Sequence, residues 1–217
     1  MIRGLMTDDE WAIFEPFLTT PSPQGGRSPS DHRRVLEAFS GSRALGCRPR
    51  GTGLPNVGNW IVRIADRPDL VPTVADWLWH EWWRDAGETL DATRNAVAAS
   101  VSPSGPPQTF VLLVDGDPIG TASLVSRDLD ERPNLTPWLD GVFVVPEARG
   151  RGHVMHLIRA VEDACRSAGI GTVWLNTANA ERVYARAGWH SVEAIQRQGR
   201  RPVTLMRRDL ISHDAWS

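Results

Sequence analysis

The run VFVVPEARGRGHVMHLIRAVEDACRSAG, residues 142–169, constrains the fold of this chain more than any other stretch. It reads as an apolar strand that breaks at Pro146, crosses a loop of glycines and arginines, and enters a helix. On that helix Val154, Leu157, Ile158, Val161 and Cys165 recur on one face. A strand and an amphipathic helix that share a core side require a layered α/β arrangement. Glycines at the start of the helix bare backbone N–H groups, whose unpaired donors and partial positive charge attract a phosphate or pyrophosphate. Arg149 and Arg151 can add charge-assisted bonds and His153 a further donor, whereas Val154 crowds the approach. An ordinary strand-to-helix turn with solvent-exposed arginines is the other reading of RGRG.

The flanking sequence extends the pattern. WIVRIA reads as a strand, and PDLVPTVADWLWHEWWRDAG opens with Pro and closes with Gly around a helical apolar repeat. ETLDATRNAVAASV is a second helix. TFVLLVDGDPIGTASLV places two apolar runs about a DG turn, a hairpin signal. LDGVFVV precedes the glycine loop; after the long helix come the strand TVWL, a short helix NAERVYARAGW and a terminal hairpin HSVEAIQRQGRRPVTLMRRDL. The order β, α, α, β, β, β, loop, α, β, α, β, β from Trp60 onward predicts a mixed α/β sheet.

Residues 1–59 differ: TTPSPQGGRSPSD and SGSRALGCRPRGTGLPNVGN are rich in Gly, Pro, Ser and Arg with no period that buries a face. The chain thus divides into an arm, 1–59, and a domain, 60–217. In the 217 residues, 24 Lys and Arg against 26 Asp and Glu give a formal charge of −2, no global excess that favours nucleic acid. Cys47 and Cys165 form neither a disulfide framework nor a metal cluster, and no long apolar run suggests a signal peptide or membrane span, so a cytoplasmic protein without metal is expected.

The segment V-F-V-V-P-x-x-R-G-R-G resembles the signature of the GNAT acetyltransferases, a Q/R-x-x-G-x-G/A run shortly after a V-x-V-x-P strand. Val142, Val144, Pro146, Arg149 and Gly152 match in place, and YARAGW at 184–189 matches that family's Y-x-x-x-G-F/W. The last Gly/Ala of the signature is Val154 here, and the Asn often found seven residues before the tyrosine is Thr177. The resemblance covers about residues 61–210. It implies a mostly antiparallel sheet with splayed central strands flanked by helices, and acetyl-CoA as acetyl donor. It places the pyrophosphate on Arg149, Gly150, Arg151, Gly152, His153 and Val154, the pantetheine arm beside Val142, Phe143 and Val144, and further cofactor contacts at Thr177 and Asn179. An amine would attack the thioester directly, a backbone N–H of the strand would hold the oxyanion, and Tyr184, the only tyrosine in the chain, would protonate the departing thiolate. A tyrosine half-buried for packing is the alternative. Asp140 and Glu131 are candidates for the base, against solvated loop carboxylates and a water chain.

In that family the first two helices wall the acceptor pocket, and DWLWHEWWR carries Trp77, Trp79, Trp82 and Trp83 there. Helical spacing puts Trp79 and Trp83 on one face, as pocket-wall candidates with Glu131, or as core or homodimer packing. Asp76, Glu81, Asp85, Asp128, Asp130 and Glu131 would attract a cationic small-molecule amine such as a polyamine or aminoglycoside, or are ordinary surface. Five arginines in QRQGRRPVTLMRRDL raise nucleic-acid binding as a competitor, but no aromatic stacking platform is interleaved with them.

Residues 5–36 resemble the N-terminal segment of IS5-type transposases, in which T-D-x-E-W, E-P-x-L, G-G-R and D-x-R-R-V-L recur in this order. Codons chosen for Ala38 to Gly46 can spell that family's continuation, I-F-W-I-A-R-T-G, in a shifted frame. The reading is an insertion-sequence fragment fused upstream of an acetyltransferase, without transposition activity. Genes beside insertion sequences are often mobile cargo, and mobile acetyltransferases often inactivate antibiotics, which adds an associational pointer to aminoglycosides. A degenerate GNAT acting as a binding or scaffold protein, and a DNA-interacting protein built around the arm, are the alternatives.

Overall fold

The computed structural model describes residues 58–197 and 201–210. Residues 1–57, nearly all of the arm that resembles transposases, and any role of theirs in DNA binding lie outside the described residues. Seven strands form one sheet: β1 Asn59–Arg63, β2 Gln108–Val114, β3 Asp117–Val125, β4 Trp138–Val144, β5 Thr172–Thr177, β6 His190–Ile195 and β7 Val203–Asp209. Their spatial order is β1-β2-β3-β4-β5-β7-β6. Every neighbouring pair is antiparallel except β4 and β5, which run parallel and pair only at Trp138 and Trp174. The mostly antiparallel sheet with splayed central strands is as expected.

Among the described residues four α-helices flank it: α1 Val71–Leu78, α2 Leu90–Ala98, α3 His153–Ser167 and α4 Glu181–Arg186. Helix α3 buries Leu157, Ile158, Val161 and Cys165, the face its apolar period marks, against Leu112, Ala122, Leu124, Leu139, Val173 and Leu175 of the sheet. Each such side chain removed from water contributes roughly 1.5–3 kcal/mol. Val74, Ala75 and Leu78 of α1 and Val97 of α2 pack on Val111 and Leu113, while Leu129, Trp138, Ile195, Val203 and Leu205 form a third cluster. Thr89 starts α2 by accepting the Ala92 N–H at 3.1 Å.

The helix read over residues 68–87 is regular only through Leu78. Trp79–Trp83 forms a π-helical turn, with the Arg84 N–H on the Trp79 carbonyl at 2.8 Å, and the Trp79 indole donates to the Glu88 carbonyl at 2.8 Å. Such turns recur at functional sites.

β4 carries a second irregularity. Thr121 pairs with Phe143 and Ser123 with Asp140, so Ala122 alone faces Gly141 and Val142. Gly141 has φ +59°, and a Cβ there would approach Leu78 Cδ2 to 3.3 Å. This bulge turns β4 just where it leaves β5.

Candidate active site

Beyond Trp138 and Trp174 the parallel strands part, and the next residues on the same face are Asp140 of β4 and Asn176 of β5. Asn176 Nδ2 donates to Asp128 Oδ2 at 2.6 Å, which draws a residue of the β3–β4 connection into the mouth of the splay. Asp140 Oδ1 accepts the adjacent Gly141 N–H at 2.6 Å. Burial pushes Asp128 up to about 7; Asp140 and Asp130 raise it further, and Arg197 opposes them. Burial also raises Asp140, against the Gly141 N–H, so the pair resists carrying two full charges at neutral pH.

Tyr184, on α4, is 9% exposed and lies edge-on to Trp189 with ring centroids 6.1 Å apart. Its hydroxyl has no hydrogen-bond partner among the described residues. Burial, then the charges of Asp140 and Asp128, raise its pKa, so the phenol keeps its proton through the neutral range. Trp189 is fixed in turn by its indole N–H, which donates to buried Glu162 at 3.0 Å. Thr177 closes the turn between β5 and α4: its Oγ1 accepts from Ala180 N at 2.9 Å and Asn179 N at 3.4 Å. Its hydroxyl is thereby engaged within the protein, and Asn179 is exposed.

The loop from Arg149 to Val154 adjoins the end of β4. Gly150 and Gly152 take φ +74° and +76°, and a Cβ added to either would meet nothing within 4 Å. Gly152 directly precedes the first turn of α3. Left-handed glycines, open space and free helix N–H groups fit an anionic group such as a pyrophosphate. Arg149 is committed nearby: its Nε donates to the Val144 carbonyl at 2.8 Å and its guanidinium lies 5.6 Å from the centre of the Phe143 ring. Arg151 is exposed and has no partner among the described residues. The His153 ring is buried beside Asn59, at 3.5 Å, and burial followed by the charges of His156 and Arg151 lowers its pKa. Val154 packs against the central core, which relieves the expected crowding of the loop.

On the aromatic wall Trp77 and Trp82 meet Phe143, at 5.5 and 6.5 Å between ring centroids. Trp79 is tied to Glu88, and Trp82 and Trp83 are equally exposed, at 42% and 41%. Val142 and Val144 pack toward the α3 side. Glu131 accepts from Arg197 Nε at 3.3 Å, at the edge of the carboxylate cluster. Sequence reasoning missed Asn176, Arg197 and the pairing of Asp128 with Asp140; the acidic run at 128–131 was the one visible signal.

The family described as "Acetyltransferase (GNAT) family" matches residues 71–189. No curated protein matches the chain. Among solved structures, yncA, a putative acetyltransferase from Salmonella typhimurium with its cofactor acetyl-CoA, is similar at 20% identity over 74% of this chain and 98% of that one, with a TM-score of 0.57. The aminoglycoside 6'-N-acetyltransferase from Enterococcus faecium is similar at 15% identity over 71% and 98%, with a TM-score of 0.57. A chimera of spermidine N-acetyltransferase SpeG from Vibrio cholerae and hSSAT gives 15% identity over 70% and 95%, with a TM-score of 0.55. At these identities the likeness carries the fold.

Proposed function

The chain belongs to the acetyltransferase (GNAT) family, and from that premise we propose that it transfers the acetyl group of acetyl-CoA to a primary amine of a small cationic molecule, of the aminoglycoside type. The observation that carries this reading is the place of Tyr184, a buried residue whose hydroxyl bonds no described residue, near the carboxylates that stand where β4 and β5 part. In this reading the backbone N–H groups from Gly150 to Val154 hold the pyrophosphate, and the edge of β4 at Val142, Phe143 and Val144 pairs with the pantetheine arm like an added strand. A backbone N–H at the bulge of β4 receives the charge that develops on the acetyl oxygen. Tyr184 gives its proton to the leaving sulfur, and Asp140 belongs to the machinery that frees the amine.

The acceptor class is supported by the carboxylates Asp128, Asp130, Glu131 and Asp140 and by Trp77 and Trp82 beside Phe143, which together favour a cation with apolar faces. Aminoglycoside and spermidine acetyltransferases among the similar structures agree with that chemistry. A thiol-release screen of amines with acetyl-CoA, aminoglycosides first, tests the proposal. Release that depends on an amine, with the acetylated amine seen by mass, is the expected result; release no faster than hydrolysis across the panel would overturn it.

A further inference from the structure

Asp128 belongs to the β3–β4 connection, outside any strand, yet it is partly buried and fixed by the short hydrogen bond from Asn176. Asn176 and Asp140 each stand two residues beyond the one paired position of the splay, so the bond from Asn176 sets the Asp128 carboxylate across the opening from Asp140. Around it are Asp140 from β4, Tyr184 from α4, Arg197 from the β6–β7 connection and Asp130 from its own segment. Arg197 is itself steadied by Glu131 at 3.3 Å. The two carboxylates are not equivalent. Asp128 has a side-chain amide donor and a nearby guanidinium to stabilise its anion, whereas Asp140 has its neighbour's backbone N–H alone. When two carboxyls share a desolvated site, the charge of one raises the other, and here the charge of Asp140 raises Asp128, the carboxyl that the Asn176 amide holds at the mouth of the splay.

We propose that Asp128 is the residue that takes the proton from the incoming ammonium group, with Asp140 as the neighbouring carboxylate. The proposal rests on the acetyltransferase reading. One ammonium proton passes to Asp128 and on to water, leaving a nitrogen lone pair free. That pair forms the C–N bond to the acetyl carbon while the C–S bond breaks. The sulfur takes the Tyr184 proton, and the second N–H proton, acidified as the amide forms, restores the phenol. Amine, donor, amide and thiol then balance, with one proton released. A carboxylate that titrates near 7 suits this task, because both of its protonation states are populated at neutral pH.

The test is the pH dependence of kcat/KM on the full-length chain, with an amine identified by thiol release, for wild type, Asp128→Asn, Asp128→Glu and Asn176→Leu. The raised carboxyl must lose its proton to act, so wild-type activity should climb with pH through about 7. Asp128→Asn should lose that limb and fall by about 100-fold or more. Asp128→Glu should recover part of the rate, and Asn176→Leu, which removes a donor to the anion, should move the limb to higher pH. As a readout free of any acceptor, the Asp128 carboxyl in 13C-aspartate-labelled protein should titrate near neutrality, and Asp140→Asn should lower its midpoint. A wild-type limb and rate in Asp128→Asn, or an Asp128 carboxyl that titrates at an ordinary carboxylate pH, would overturn the base assignment and leave the transferase reading standing. A chain that acetylates no amine would overturn both.

Discussion

Replacing Gly152 by alanine separates the loop's backbone geometry from its role toward a ligand. Gly152 takes φ +76°, and a Cβ there would meet nothing within 4 Å, so the folded chain should suffer backbone strain without a clash. Holding an L-residue in that region costs about 1–2 kcal/mol, which lowers Tm by roughly 2–4 °C per kcal/mol in a domain of this size. In the proposed reading that open space is where a pyrophosphate oxygen approaches the first N–H groups of α3. A methyl there should weaken acetyl-CoA binding by about 10-fold, or about 1.4 kcal/mol, and Gly152→Val by more. Gly116, in the β2–β3 turn at φ +94° and equally open, supplies the control: Gly116→Ala should carry similar strain and leave the affinity unchanged. Isothermal calorimetry with acetyl-CoA and thermal melts of the three proteins read the two effects apart. Equal affinities for Gly152→Ala and Gly116→Ala would refute the cradle.

Three further outcomes follow from the site and its supports. Tyr184→Phe removes a hydroxyl that bonds no described residue, so Tm should move little while turnover falls by about 100-fold, about 2.7 kcal/mol in the barrier; an unchanged rate removes Tyr184 as the acid. Arg197 favours the Asp128 anion, so Arg197→Gln should shift the rising limb of the pH profile upward, and a downward shift would contradict the charge arrangement. Buried Glu162 accepts from Trp189 at 3.0 Å and pairs with Arg166 at 3.2 Å and Arg208 at 3.4 Å; Glu162→Ala strands those donors and should cost about 3 kcal/mol in chemical denaturation, with acetyl-CoA affinity retained.

What could be read from the chain in advance was what depends on short range. The DG turn sets the β2–β3 hairpin, the apolar period of α3 marks the face that packs on the sheet, and the glycine loop is positioned by the strand before it and the helix after it. Which tryptophans meet Phe143 was not readable from the helix alone: Trp77 and Trp82, five apart, do so, and the contact depends on where β4 lies. The carboxylate pair was not readable locally. Asp128 and Asn176 are 48 positions apart, and their meeting depends on which strands neighbour one another and where β4 leaves β5.

The most direct test of the account is a calorimetric titration of the full-length chain with acetyl-CoA. The account predicts saturable binding in the micromolar range that Gly152→Val abolishes or weakens strongly. No binding at tens of micromolar acetyl-CoA would contradict it.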